Sequence, residues 1–203
     1  MGAGAGKPAD LRALTRESIR RQLAETAWDA FAERGFDEVT AAEVAQAAGI
    51  SRASFFRYFG SKEEAVFAAL ETMGAEIATA LAERPSGEDA WVALRRAFDA
   101  AIPSYKRDPA RSLARLRLTR ETPALRAHQL ERQAQWREMI GAVLASRLGA
   151  EPGDVRIEAL AAAALGALDA ATERWAVSEG SLDLIALIDD AFDAVSGRHP
   201  KLG

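Results

Sequence analysis

Apolar residues recur at intervals of three and four from end to end of this chain, and nowhere does an alternating polar–apolar run persist. That period belongs to helices packed through one face. The sequence therefore predicts an all-α protein of about nine helices. Punctuation along the chain sets their limits. Ile19, Leu23, Ala27, Ala30 and Phe31 mark one face of a first helix, about Thr15 to Arg34, closed by Gly35. Thr40-Ala41-Ala42-Glu43 reads as a capping box opening a short second helix, and Gly49 ends it. Ser51 heads a third helix reaching about Phe59. Ser61-Lys62-Glu63-Glu64 reads as a second capping box, starting a long fourth helix through Phe67, Leu70, Met73 and Ile77 towards Glu83. Beyond the Arg84–Gly87 loop, Pro103, Pro109, Pro123, Gly149 and Gly180 separate five more helices, the eighth of them Ala-rich. This division predicts a tail over 1–14, a small helical domain over 15–60 and a larger one over 61–203.

Composition removes whole classes of chemistry. With no cysteine there are no disulfides, thiolate metal sites or cysteine nucleophiles, and two histidines, His128 and His199, are few for a histidine-rich metal site. No nucleophile–base pairing stands out, so neither an enzyme nor a bound cofactor is expected. The longest apolar run, Ala159 to Leu168, reaches about half of a bilayer span. The Gly- and Ala-rich opening, Met1 to Asp10, lacks the basic start and apolar segment of a signal peptide. A cytoplasmic protein without membrane attachment is the expectation. The net charge of −4 is unevenly spread: residues 1–62 hold nine Lys/Arg against eight Asp/Glu, and the acidic excess falls beyond them. A locally basic face on a small module serves for DNA binding even where the whole chain is acidic.

The informative string is Thr40 to Lys62, TAAEVAQAAGISRASFFRYFGSK. It places two short helices around a Gly-containing turn, the helix-turn-helix arrangement. Phe55 and Phe59 face inward by helical spacing. Ser51, Arg52, Ala53, Ser54, Phe56 and Arg57 then fall on or near the outward side, a set of short, basic and aromatic groups suited to a groove about 12 Å wide. Thr40 and Lys62 stand at helix starts, where backbone N–H groups and charge hold phosphates, and Tyr58 brings its polar end beside Arg57 for the same purpose. For each the plain alternative is structural: Tyr58 packing on the first helix, Lys62 a solvated charge.

In register with this string, FAERGFDEVTAAEVAQAA followed by GISRASFFRYFGSKEE resembles the DNA-binding region of TetR-family transcriptional regulators over roughly residues 15–65. The resemblance implies phosphate contacts from Tyr58 and Lys62, a backbone contact from Thr40 and groove contacts from Arg52, Ala53, Ser54 and Phe56, with Arg57 on groove or phosphate. Ala42 stands where family members often carry a longer polar residue. It further implies a homodimer on a near-palindromic operator, repression as the commoner outcome and release by a small molecule. The C-terminal half, with its Thr-Pro-Ala-Leu-Arg-Ala-His stretch, loosely resembles regulators of the mycofactocin-associated type, which implies an apolar or acyl-CoA-like effector.

Two further sets of candidates lie in the larger domain. Trp91, Phe98, Tyr105, Trp136 and Met139 read as core or as the wall of a ligand cavity between helices. Of Arg115, Arg117 and Arg120, either all form a solvated face or one reaches inward to an anionic group; Arg115 is the ligand candidate. Asp169, Glu173 and Arg174 interrupt the eighth helix and suit an interface ion pair or a pocket equally. For a two-fold four-helix dimer interface the candidates are Leu165 and Gly166 on the eighth helix and Leu184, Ile188 and Phe192 on the ninth. Effector binding is expected to shift the long fourth helix and so alter the separation of the two DNA-binding heads.

Overall fold

The computed structural model describes residues 8–151 and 153–197. Among them every regular element is helical: eleven α-helices and two short 3₁₀ segments. The chain divides into two compact units between Ala69 and Leu70.

In the first unit, α1 (Pro8–Arg34), α2 (Ala41–Ala47), α3 (Arg52–Tyr58) and α4 (Lys62–Phe67) surround one aromatic core. α1 starts seven residues before the expected Thr15, so residues 8–14 are helix rather than tail. Pro8 suits a first helical position, where its missing N–H costs nothing, and the alanines, leucines and arginines that follow are strong helix formers. The remainder of the expected tail, 1–7, lies outside the described residues. Leu23, Ala27, Trp28 and Phe31 of α1 are buried together with Phe36, Val39, Val44, Phe55 and Phe59. The ring centroids of Phe31 and Phe36 lie 5.2 Å apart, as do those of Phe55 and Phe59. Between α2 and α3, Gly49 holds φ of +69°, a left-handed turn that a side chain would strain.

α4 differs from the expected long helix. It stops at Phe67, tightens into a 3₁₀ turn over Ala68–Leu70, and a separate α5 (Met73–Ala82) follows. The break runs into Thr72 and Gly74, the weakest helix formers of the stretch. No continuous lever therefore runs from Lys62 to Glu83. Its start also departs from a capping box: Ser61 Oγ accepts from the Glu64 N–H at 3.2 Å, but the Glu64 carboxylate reaches back to the Gly60 N–H at 2.7 Å, one residue further than a box requires.

In the second unit α5 is followed by α6 (Ala90–Ala97), α7 (Ile102–Lys106), α8 (Pro109–Glu121), α9 (Pro123–Leu148), α10 (Val155–Val177) and α11 (Leu184–Ser196). Pro103 sits in the first turn of α7, where the expected fifth helix divides; this and the broken fourth helix raise nine elements to eleven. Asp89, Asp108, Asp154 and Asp183 cap α6, α8, α10 and α11, each accepting from backbone N–H groups that would otherwise lack partners. α5 lies against α9 through Gly74: a β-carbon there would fall 2.2 Å from Trp136 Cδ1, so only glycine permits this approach. The Arg147 guanidinium of α9 donates to the carbonyls of Arg84 at 2.7 Å and Pro85 at 2.8 Å, fixing the exit from α5. Ile140, Leu144, Ala161, Ala164, Leu168 and Ile188 fill the centre.

Candidate nucleic-acid interface and candidate effector site

The geometry of the first unit fixes α3 from both ends and from beneath. Below it, Phe55 and Phe59 are fully buried. At its head, Ser51 Oγ accepts from the Ser54 N–H and donates to Ser54 Oγ, both at 3.1 Å, and Ser54 Oγ in turn accepts from Arg57 Nη2 at 3.2 Å. At its foot, two arginines of α1 donate to its last carbonyls: Arg20 Nε to Tyr58 O at 3.0 Å and Arg16 Nη2 to Arg57 O at 3.4 Å. The Arg20 guanidinium also lies 5.0 Å above the Phe59 ring. Positive groups at a helix C-terminus complement its dipole. Neither arginine was singled out from the sequence, although their four-residue spacing on one helix face was the available signal.

What α3 leaves outside is basic and aromatic. Arg52, Ala53, Phe56 and Arg57 are exposed and Ser54 half-buried, with Phe56 presenting 40% of its surface. The Arg52 guanidinium stands 5.6 Å from the Phe56 ring and that of Arg57 5.8 Å from the Tyr58 ring. Tyr58 itself is half-buried. Arg52, Ala53, Ser54, Phe56, Arg57 and Tyr58 thus share one short helix headed by Ser51, while Thr40 and Lys62 stand at the starts of α2 and α4.

Two expected phosphate ligands are more committed than sequence suggested. Thr40 forms the complete capping box: its Oγ1 accepts from the Glu43 N–H at 3.2 Å and donates to Glu43 Oε2 at 2.7 Å, while its own N–H donates to that oxygen at 2.8 Å. These hydrogen bonds, with a further one from Arg34, lower the Glu43 carboxyl from its ordinary 4.5 to about 2. The Lys62 ammonium donates to the carbonyls of Phe36 at 2.7 Å and Val39 at 3.0 Å and lies 4.0 Å from the Phe36 ring. Two of its three donors therefore hold the loop ahead of α2. It is neither a solvated charge nor a cation wholly available to phosphate.

The second unit separates the ligand candidates into two groups. Tyr105 and Arg115 are buried together with Arg132, which the sequence reading passed over. Arg132 lies 4.7 Å from the Trp136 ring and donates to Gln129 Oε1 at 2.9 Å. Burial pushes the Tyr105 hydroxyl up, against the pull of both arginines. Burial lowers Arg115, and lowers Arg132 to about 10, with the charge of Arg115 adding to the effect and Tyr105 opposing it. Trp136 and Met139 also form the α5–α9 seam at Gly74. Arg117 and Arg120, by contrast, reach the surface side of α8.

Trp91 and Phe98 belong elsewhere. Phe192 stacks 4.9 Å from Trp91 and 5.4 Å from Phe98, and the Trp91 indole N–H donates to Phe192 O at 3.0 Å. Above this stack is an open groove of about 270 Å³ whose Arg95 is already paired with Asp99 and Asp189, both at 2.6 Å. The same stack corrects three dimer-interface expectations. Leu184, Ile188 and Phe192 are buried within the chain's own core, because α11 turns its apolar face to α10 and α6 rather than outward. Leu165 is buried too, whereas Gly166 is exposed, and a side chain there would meet no atom of this chain within 4 Å of its β-carbon. On α10, Asp169 accepts from Gln133 at 3.2 Å, while Glu173 and Arg174 are exposed.

Comparison with known proteins agrees with both halves of this description. Residues 23–69 match the model of the bacterial regulatory proteins of the tetR family, and residues 88–200, more than half of the chain, match the MftR C-terminal domain. The chain belongs to the TetR family. It is a DNA-binding transcriptional regulator of that family rather than an enzyme. Among TetR-family relatives it is 30% identical over 191 residues to MftR of Mycobacterium tuberculosis, named for a proposed role in regulating mycofactocin biosynthesis, covering 92% of this chain and 94% of that one. It is 27% identical over 198 residues to the helix-turn-helix regulator TcmR of Streptomyces glaucescens, covering 95% and 88% respectively. In fold it is similar to Thermus thermophilus FadR, a TetR-family repressor solved in complex with lauroyl-CoA, with a TM-score of 0.61 and 21% identity over 91% of this chain and 97% of that one. Among the described residues no helix is long and apolar enough to cross a membrane.

Proposed function

We propose that this TetR-family protein is a homodimeric repressor whose α3 enters the major groove of a near-palindromic operator and which a small molecule releases from DNA. The observation that carries the reading is the division of α3 into two faces. Phe55 and Phe59 anchor one, and Arg52, Phe56 and Arg57 are exposed on the other, with Ser54 half-buried among them. In this arrangement Arg52 and Phe56 meet base edges, and Arg57, Tyr58 and the ends at Thr40 and Ser51 meet phosphates. Lys62 adds charge through its one uncommitted donor while holding the loop before α2. Two-fold symmetry presents two such helices to half-sites separated by turns of the duplex. The exposed side of α10, with Ala162, Gly166 and Ala170, and the outer side of α11 form the self-association surface.

Effector binding belongs to the second unit, around Tyr105, Arg115 and Trp136. The lauroyl-CoA of the FadR structure supports an acyl-CoA-like molecule as the first to try. The ligand need favour a DNA-incompetent head spacing by only a few kcal/mol to empty the operator. Gel shift with fragments from upstream of the protein's own gene tests the reading. A salt-sensitive complex is expected on at least one fragment, with base preference relaxed by Arg52→Ala and the complex dissolved by lauroyl-CoA. Absence of salt-sensitive binding on every fragment would remove the operator reading; a complex indifferent to acyl-CoA would remove that effector class.

A further inference from the structure

The cluster at α7, α8 and α9 buries two arginines close together, and one of them, Arg115, has no acidic partner among the described residues. Arg115 is 5% exposed and Arg132 8%, and their charges act on one another and on the buried Tyr105. Arg115 Nη2 has no hydrogen-bond partner, and one turn further along α8 Thr119 Oγ1 is also buried and unpartnered. A guanidinium stays charged at neutral pH and carries five donors in a fixed fork. Buried charges in folded proteins are paired, because an isolated one is costly to desolvate. Asp108 acts on Arg115 through its charge but is committed as the cap of α8, and Asp169, engaged by Gln133, acts on Tyr105; neither bridges Arg115. Ser112 adds a further buried hydroxyl, turned to Ser104 O at 3.4 Å.

We infer that Arg115 and Arg132, with Tyr105 and Thr119, form an anion-binding subsite that takes an oxyanion of the effector. The required chemistry is a planar or tetrahedral group of negatively charged oxygens. Two sources supply it: the carboxylate of a free organic acid, or the phosphates of an acyl-CoA. The Arg115 fork matches such a group in a bidentate fashion. The Tyr105 and Thr119 hydroxyls add neutral donors, and Trp136 beneath Arg132 limits its movement. This deepens the effector reading above and rests on the second unit being where the effector binds.

The experiment uses the full-length protein and two matched pairs of probes: octanoate with octanamide, and lauroyl-CoA with S-lauroyl-pantetheine, which lacks the phosphates. Affinity is read by tryptophan fluorescence, since Trp136 lies at the site. In at least one pair the anionic member is expected to bind about ten-fold or more tightly than its neutral counterpart, and Arg115→Met to abolish that preference. The pair that discriminates identifies the source of the anion. Equal binding within both pairs, or a preference that survives Arg115→Met, overturns the inference.

A melting curve without ligand gives an independent reading, decisive if none of the four probes binds. A residue kept for a ligand leaves an uncompensated charge in the empty protein. Arg115→Met, close in length and apolar, should then melt at or above the wild-type temperature. A clearly lower melting temperature would make Arg115 a structural group and overturn the inference. Gel shift on the wild type keeps the two levels apart. An anion preference without DNA release sinks the regulatory reading and spares the subsite; release by neutral and anionic probes alike does the reverse.

Discussion

Two residues of the first unit behave as parts of its frame, and each makes a measurable difference. The Glu43 carboxylate is held by Thr40 and Arg34, which depresses its titration from 4.5 to about 2. A group depressed on folding contributes stability that is complete above its unfolded value and fades as pH falls towards its folded one. Melting curves between pH 2 and pH 4.5 should accordingly converge for the wild type and Glu43→Gln, whereas at neutral pH the wild type melts higher. A constant gap across that window would mean the carboxylate's charge contributes nothing. Lys62 gives the second test. Its ammonium is the partner of the Phe36 and Val39 carbonyls, so Lys62→Met leaves both oxygens short of a donor. A loss of about 1–3 kcal/mol in urea denaturation is expected. Unchanged stability with weakened DNA binding would return Lys62 to a purely phosphate-contacting role.

At the scale of the element, the helix-turn-helix is legible in sequence because nearly every feature of it is local. Ser51 and Thr40 cap within their own helices, Gly49 supplies the turn, and a seven-residue helix with Phe55 buried in it and Phe59 buried at its C-cap leaves few choices for its outer face. The clasp by Arg16 and Arg20 is not local: Arg20 and Tyr58 are 38 positions apart, and only the fold brings them together. Arg20→Met should weaken DNA binding about five-fold, equal to roughly 1 kcal/mol, on every sequence alike and without altering the salt dependence. A reduced salt slope would instead make Arg20 itself a phosphate ligand. The broken fourth helix escaped for a similar reason. Gly74 looks tolerable in a helical pattern, and its role as the contact point for Trp136 is visible only once α5 and α9 are adjacent. Gly74→Ala places a methyl 2.2 Å from the indole and 2.7 Å from Met139 Cε. A loss of about 1–3 kcal/mol is expected from the forced separation; a stability gain, as helix propensity alone would give, would show that the seam yields freely.

For the whole molecule, the sequence pattern assigned to a second copy faces that the chain itself buries. Leu184, Ile188 and Phe192 have the spacing of an apolar stripe, and a stripe does not say whether it meets its own chain or another. Here α11 uses it to close the core over Trp91 and Phe98. The self-association proposed above then falls to the outer side of α10, where small residues leave room for a close helix approach. Gly166 tests this cleanly, since its added β-carbon meets no atom within 4 Å and residues other than glycine favour a helix interior. Gly166→Arg should therefore fold with wild-type or slightly higher thermal stability yet sediment as a monomer. Losing the second head removes half of the operator contacts, so affinity for a two-half-site fragment should fall far more than affinity for a single half-site, because the two heads no longer act at high effective concentration. A variant that remains dimeric would move the interface off this face of α10. A monomer that still binds the full operator at wild-type strength would show that the two half-sites are not read together.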